Sequence, residues 1–188
     1  MVICGIDEAG RGPLAGPVVV SGVIMKKENL IDGIRDSKKL TFKKREELYQ
    51  KIVDSAMHYE IQVIDETVID SINILKSCMV GMENIMKKYR GYCDLFEIDG
   101  NYLKFEDNRH QNYNYKTIVK GDDKVYEISC ASILAKVTRD RLMIEYDEIY
   151  PNYGFRTNKG YGTKKHIEAL LEYGPCKIHR TTFLKNIL

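Results

Sequence analysis

Two adjacent acids stand inside a glycine-rich stretch near the start of the chain. The stretch is GIDEAGRGPLAG over 5–16, and it contains Asp7 and Glu8. Its glycines suggest a backbone loop that cradles phosphates, whereas its paired carboxylates suggest a metal site. A dinucleotide-binding loop has the spacing GxGxxG and opens a helix, but here the glycine spacing differs and the chain runs into a β-branched stretch at Val18. The sequence therefore disfavours a nucleotide cradle.

Two further acids stand where predicted strands end. Asp99 closes one predicted strand, and Asp122 follows another through Lys120-Gly121. Asp7 and Glu8 can face one site only if their strand ends or bulges there, because successive strand residues point to opposite faces. Four converging carboxylates would repel one another, and a hard divalent ion such as Mg²⁺ or Mn²⁺ would relieve that repulsion. The residue pattern alone leaves ordinary surface acids as the alternative.

These acids need a sheet to bring them together. Alternation and β-branched residues predict five strands, over 2–8, 18–24, 59–63, 94–100 and 115–119. Helical spacing predicts helices after an N-cap at Thr41 and over 74–86, 129–146 and 167–173. Strands interleaved with helices predict an α/β fold, a mixed sheet flanked by helices.

Length and composition suit a single domain over 1–188 with a basic C-terminal part. The chain has 188 residues, of which 44% are hydrophobic, and it lacks any run long enough for a membrane span or a signal peptide. From 155 to 188 there are 7 Lys and Arg against 2 Asp and Glu, which favours either a polyanionic partner or a solvated basic surface. Five scattered cysteines without a CxxC pair predict reduced thiols and a cytoplasmic location.

The motifs together resemble bacterial ribonuclease HII. The matching segments, in the family's order, are GIDEAGRGPLAGPVV at 5–19, DSKKL at 36–40, IDG at 98–100, KGD at 120–122, CASILAKVTRDR at 130–141, KGYGT at 159–163, His166 and His179-Arg180. The resemblance covers essentially the whole chain. Asn158 stands where the family commonly has a histidine, and Thr182 replaces a serine. Because the first motif starts at residue 5, we expect no N-terminal domain of the ribonuclease HIII kind.

The resemblance implies an RNase H-like fold with a helical C-terminal segment over 150–188 that contacts the substrate. It also implies an endoribonuclease that hydrolyses RNA paired to DNA and cuts 5′ of single ribonucleotides in duplex DNA, leaving 3′-hydroxyl and 5′-phosphate ends. The implied catalytic and metal-binding carboxylates are Asp7, Glu8, Asp99 and Asp122, holding two Mg²⁺ or Mn²⁺ ions. Asp123 and Glu97 are weaker rivals, and Asp140 is more typical of an ion-pairing helix residue.

A second group of residues is predicted to bind the substrate. Gly10 and Gly12 leave room for the backbone to approach a ribose 2′-hydroxyl, with Arg11 beside the scissile phosphate. By resemblance, Tyr161 packs on the adjacent sugar, although a half-buried structural tyrosine is an equal alternative. The predicted phosphate contacts, each with a surface-charge alternative, are Lys38, Lys136, Lys165 and Arg180.

Two other functions remain open at this point. One is a DNA-acting nuclease of the RNase H-like superfamily, and the other is a duplex-binding module without catalysis. An intact set of four acids argues against a simple binder, since like charges in a phosphate groove weaken binding. We expect a monomer with a nucleic-acid partner and no membrane partner, and the last six residues, 183–188, are too generic to predict a sliding-clamp contact.

Overall fold

Five strands form one mixed sheet in the computed structural model, which describes residues 1–26, 28, 30–34, 40–105 and 110–188. The strands are β1 (Ile3–Ala9), β2 (Val18–Met25), β3 (Ala56–Ile64), β4 (Leu95–Asp99) and β5 (Tyr115–Ile118). Their order across the sheet is β3-β2-β1-β4-β5. The predicted five-stranded mixed sheet is confirmed.

Strand direction explains where the acids lie. β1 and β2, and β2 and β3, pair antiparallel, whereas β4 runs parallel to both β1 and β5. Parallel strands end at the same edge of a sheet, and the β1–β4 register sets Ile6 opposite Ile98. Asp7 and Asp99, the next residue on each strand, therefore come to the same edge.

Helices cover both faces of the sheet. They are α1 (Phe42–Ser55), α2 (Glu66–Ile72), α3 (Ile74–Tyr89), α4 (Gly121–Lys124), α5 (Tyr126–Ile149), α6 (Phe155–Asn158), α7 (Lys164–Tyr173) and α8 (Thr181–Leu184). Alternate residues of the strands point to the two faces, so α3 packs in one hydrophobic cluster with Ile6 and Ile98. Helices α1 and α5 pack in a second cluster with Val23 and Met25.

The C-terminal part has its own small hydrophobic cluster. It joins Phe155 of α6, Leu170 of α7 and Leu184 of α8 to Met143 of α5. A 3₁₀ turn at Pro151–Tyr153 separates α5 from this part, where the sequence predicted a break. Residues 150–188 thus contain short helices, as expected, and they pack against the end of α5.

Several local features differ from the sequence prediction, and three of them bear on the helices around the site. Helix α2 was not predicted; it begins because the Asp65 side chain accepts hydrogen bonds from the N–H groups of Thr67 and Val68. Helix α5 is longer at both ends than the predicted 129–146. Asp122 does not lie at a strand end, because the chain turns into α4 at Gly121, directly after the left-handed Lys120.

Candidate active site

The end of β1 brings two carboxylates to the sheet edge. Asp7 is only 5% exposed, and its Oδ1 accepts the N–H of Glu8 at 2.7 Å. Its carboxylate also takes a hydrogen bond from the Ser132 side chain. Glu8 Oε1 lies 3.4 Å from Nη1 of Arg11, whereas Glu8 Oε2 is buried and has no hydrogen-bond partner among the residues that the structure describes. A buried carboxylate oxygen without a donor is suited to a cation.

The other two acids are held by the β4 end and by α4. The N–H of Gly121 donates to Asp99 Oδ1 at 2.6 Å, which fastens the start of α4 beside the end of β4. Asp122 is 4% exposed, and its carbonyl accepts the Ser129 hydroxyl at 2.6 Å. All four acids line one cleft of about 400 Å³. The structure therefore brings together the four carboxylates that the sequence singled out.

Charge repulsion shapes the protonation of this cluster. Burial raises the pKa of Asp7 well above its usual value, and the charges of Glu8 and Asp99 raise it further. Burial also raises the pKa of Glu8, with Asp99 adding to the shift and Arg11 opposing it. The folded state thus carries mutually repelling acids that a cation would stabilise.

The donor chemistry fits Mg²⁺ or Mn²⁺. The candidate ligands are all carboxylate oxygens, which hard divalent ions prefer, and Glu8 Oε2 has no competing donor in the described ranges. As the side chains stand, the described part of the chain has no group of three His, Cys, Asp or Glu residues arranged to hold a metal ion.

A short turn after β1 forms one wall of the cleft. Gly10, Arg11 and Gly12 line it, and Tyr161, 46% exposed, faces them from the loop after α6. Gly10 has φ +97°, and a Cβ there would stand 2.1 Å from Nε of Arg139, so only glycine fits. A Cβ at Gly12 would lie 3.6 Å from Tyr161 Cε1, an ordinary contact, so Gly12 keeps open the space between turn and ring.

The predicted phosphate contacts separate into different groups. Lys136 lines the cleft and pairs with Asp140 at 2.6 Å. Lys165 is exposed on α7 and does not line the cleft. Arg180 is fully buried, and its guanidinium donates to backbone carbonyls, so the structure does not place it for direct phosphate contact. Lys38 lies outside the described residues.

The rival acids and the histidines lie elsewhere. Asp123 is exposed, and neither it nor Glu97 lines the cleft. Asp140 is paired with Lys136, in agreement with the predicted ion-pairing role. His166 and His179 are buried with their Nε2 atoms 3.0 Å apart, behind the Tyr161 loop, so neither faces the acids.

The two departures from the family pattern make backbone and surface contacts. Asn158 Nδ2 donates to the Tyr153 carbonyl at 2.7 Å, and its Oδ1 accepts the Gly160 N–H at 2.7 Å. Asn158 thereby shapes the loop that carries Tyr161. The Thr182 hydroxyl donates to Asp70, which ties α8 to α2.

Three residues of the cleft were missed by sequence reasoning. Ser132 and Arg139 lie within the CASILAKVTRDR segment, but nothing in their spacing marks the contacts that they make. Arg45 of α1 also lines the cleft; its Nη1 donates to the Leu40 carbonyl at 2.5 Å, and its buried Nε has no partner within the described ranges. The basic run at 43–45 was the available signal for Arg45.

The chain is similar along its length to proteins of one family. The family model described as Ribonuclease HII matches residues 4–186. A ribonuclease HII of Caldicellulosiruptor bescii is 50% identical over 186 residues, which are 99% of this chain and 88% of that protein.

Two solved structures are similar in fold. The ribonuclease HII of Archaeoglobus fulgidus, solved in a complex with PCNA, superposes with a TM-score of 0.82 at 26% identity, covering 96% of this chain and 94% of that one. The ribonuclease H2 of Pyrococcus horikoshii gives a TM-score of 0.73 at 26% identity, covering 100% and 97%.

The fold and the acid-lined cleft define an RNase H-like enzyme. The chain belongs to the ribonuclease HII family, and it is a ribonuclease H. Family and fold support an endoribonuclease that acts on RNA paired to DNA. No helix in the described part of the chain is long and apolar enough to cross a membrane.

Proposed function

We propose that this enzyme hydrolyses the RNA strand of RNA–DNA hybrids and cuts duplex DNA on the 5′ side of a single ribonucleotide, leaving 3′-hydroxyl and 5′-phosphate ends. The observation that carries the proposal is a single cleft that joins four carboxylates to the Gly10–Gly12 turn and Tyr161. The acids suit phosphodiester hydrolysis, and the turn suits detection of a ribose hydroxyl.

The four carboxylates Asp7, Glu8, Asp99 and Asp122 are the proposed metal ligands. Two Mg²⁺ or Mn²⁺ ions bound there would activate the attacking water and stabilise the departing 3′ oxygen. Asp7 lies at the centre of the group, since it interacts with Glu8, Asp99 and Ser132. The Ser132 hydrogen bond fixes the orientation of the Asp7 carboxylate, and Gly121 does the same for Asp99.

The neighbouring residues would bind and orient the nucleic acid. The exposed Arg11 guanidinium stands beside the acids and is suited to the scissile phosphate. Tyr161 offers its ring to the sugar next to the cut. Lys136 and Arg45 line the same cleft, and with the exposed Lys165 they form the proposed set of phosphate contacts.

The proposal also covers partners and location. A monomer acts on nucleic acid through the cleft and through the basic segment 150–188. Among the last six residues Leu184 is buried and Phe183 and Ile187 pack against hydrophobic clusters, which leaves Leu188 as the exposed apolar residue, so the proposal includes no sliding-clamp contact. All five cysteines are free thiols, which supports a reducing, cytoplasmic setting.

The decisive experiment is incubation with duplex DNA that carries one ribonucleotide, with the cut position mapped at nucleotide resolution. We expect one cut, 5′ of the ribonucleotide, only with divalent metal, and none in the same duplex made of DNA alone. An Asp7→Asn variant should bind the duplex without cutting it. Cleavage of the all-DNA duplex at a comparable rate would overturn the proposal.

A further inference from the structure

Two buried arginines hold the glycine-rich turn by its carbonyl oxygens. Arg139 and Arg180 are 1% and 0% exposed, and neither forms a salt bridge within the described ranges. Five of the six carbonyls that they bind belong to the segment 10–17, and the sixth belongs to Lys159. Burial lowers the pKa of each guanidinium to about 10, so keeping these charges inside is costly.

The two arginines divide the turn between them. Arg180 binds the part nearest the acids: Nη2 donates to the Gly10 carbonyl at 2.6 Å, and Nη1 to the Arg11 carbonyl at 3.0 Å. Its Nε donates to the Gly16 carbonyl at 2.9 Å. Arg139 binds the carbonyls of Ala15 and Pro17 instead. Only Arg180 therefore fixes the peptide groups at 10–12.

The geometry of the trans peptide determines which backbone groups of the turn point away from Arg180. In a trans peptide the C=O and the following N–H point in opposite directions, and the described chain contains no cis peptide. The carbonyls of Gly10 and Arg11 point at the buried guanidinium, so the N–H groups of Arg11 and Gly12 point away from it. Neither N–H has a hydrogen-bond partner in the part of the chain that the structure describes.

We propose that Arg180 is a positioning residue for ribonucleotide recognition. It holds the carbonyls of the Gly10–Gly12 turn inward, so that the N–H groups of Arg11 and Gly12 face the cleft and can donate hydrogen bonds to the 2′ oxygen of the substrate's ribose. This inference rests on the proposed function. A deoxyribose has no 2′ oxygen to accept hydrogen bonds from these two N–H groups. The planar guanidinium reaches three carbonyls at once, which a lysine ammonium on a flexible stem cannot reproduce.

The test measures binding, with Asp7→Asn present throughout so that no substrate is cut. The quantity is the ratio of the Kd for an all-DNA duplex to the Kd for the same duplex with one ribonucleotide. Arg180→Lys should lower this ratio by about fivefold or more, the loss expected for about one misplaced hydrogen bond. Arg141→Lys is the control, since Arg141 pairs with Glu46 at the surface and lines neither the cleft nor the turn, and its ratio should stay unchanged.

A ratio is insensitive to loss of folded protein, because both duplexes sample the same active fraction. An unchanged ratio in Arg180→Lys, or an equal fall in both arginine variants, overturns the inference. If Asp7→Asn alone shows no preference for the ribonucleotide, the proposed function fails, and the inference fails with it.

A second measurement covers an Arg180→Lys protein that does not fold. With Arg180 intact, the ribonucleotide duplex should slow amide hydrogen exchange at Arg11 and Gly12 more than the all-DNA duplex does. Equal exchange at both amides with the two duplexes overturns the inference.

Discussion

At the scale of single residues, the site depends on two glycines, which have no side chain, as well as on its acids. Gly10 and Gly12 are both without a side chain, but for different reasons. Gly10 has a left-handed backbone and Arg139 directly against it, so it is needed for folding. Gly12 has ordinary space around it, so packing does not require a glycine there, and the proposed function assigns its bare backbone to the substrate.

This difference predicts opposite outcomes for two alanine variants. Gly12→Ala should fold normally and lose about tenfold or more in kcat/KM on a ribonucleotide-containing duplex, because a methyl group fills the space in front of Tyr161. Gly10→Ala should instead lower the melting temperature, because its Cβ collides with Arg139. Thermal unfolding and steady-state cleavage separate the two. A Gly12→Ala enzyme with wild-type kcat/KM would contradict the proposed role of the turn.

The raised pKa of Asp7 predicts that its negative charge destabilises the metal-free protein. Its raised pKa reflects burial and repulsion by Glu8 and Asp99, so Asp7→Asn should raise the melting temperature of the metal-free protein by about 2–4 °C per kcal/mol of repulsion removed. Millimolar Mg²⁺ should stabilise the wild type and stabilise the variant less. Asp123→Asn, an exposed acid outside the cleft, is the control and should respond to metal as the wild type does.

At the scale of elements, the cleft is assembled by strand ends, three helices and a loop, with α4 contributing Asp122. α1 contributes Arg45, α5 contributes Ser132 and Lys136, and the loop after α6 contributes Tyr161. That loop is supported from behind by α7, since His166 Nδ1 lies 2.9 Å from the Tyr161 carbonyl and His166 Nε2 lies 3.0 Å from His179 Nε2. The cleft therefore depends on elements from separate parts of the chain.

The role of α1 is tested by a charge-neutral variant. Arg45→Gln should weaken binding of the hybrid. It should also reduce the magnitude of the slope of log K against log salt concentration by about one, the effect of losing one phosphate contact. Its kcat at saturating substrate should change little, because Arg45 does not contact the acids directly. Lys51→Gln, an exposed lysine further along α1, is the matched control and should leave the salt slope unchanged. Equal slopes for Arg45→Gln and the wild type would remove Arg45 from the interface.

The histidine pair predicts a loss of stability in mild acid. Burial lowers the pKa of His166, and burial with the neighbouring His166 lowers that of His179 to about 4. Below the unfolded pKa of about 6.5 the unfolded chain binds more protons than the native one, so the free energy of unfolding falls as pH drops from there towards 4. For His179 the full effect is about 3 kcal/mol at ~1.4 kcal/mol per pKa unit.

Urea unfolding of the wild type and His179→Gln at several pH values checks this. The difference between them isolates His179, because His166, Asp7 and Glu8 are present in both proteins, where the raised pKa values of the two acids act in the opposite direction. The wild type should lose more stability on acidification than the variant. Parallel curves would mean that His179 does not titrate in this range.

At the scale of the whole molecule, the site joins distant parts of the chain, and this limits what sequence could predict. The strands followed from alternation, and the acids from motifs at strand ends. Helix α2 was missed because it depends on a single cap, Asp65. The sequence predicted that Arg180 contacts phosphate. Its burial could not be predicted, because nothing marks one basic residue of a basic segment as a residue that folding will bury. Ser132 was missed because the sequence does not indicate which residue a serine on a helix will contact, and its contact with Asp7 depends on how α5 packs against β1.

Charge over the whole surface predicts salt-sensitive binding. If Arg11, Arg45, Lys136 and Lys165 each neutralise a phosphate, the Kd for a hybrid should rise about a hundredfold between about 50 and 200 mM salt. Fluorescence anisotropy of a labelled hybrid with Asp7→Asn measures it. A Kd that changes by less than about threefold over this range would mean that phosphate contacts contribute little.

The contacts of the turn also have a consequence for biosynthesis. Besides the Arg180 side chain, the backbone of residues 14–16 pairs with Ile178 and Arg180, through Gly16 N to the Ile178 carbonyl and Arg180 N to the Leu14 carbonyl, both at 2.8 Å. Arg180 follows Gly16 by 164 residues along the chain, so translation produces the loop well before the residues that fasten it. A nascent polypeptide that stops before Arg180 has all four acids but an unfastened loop, and we expect it to lack ribonuclease activity until Arg180 has been made.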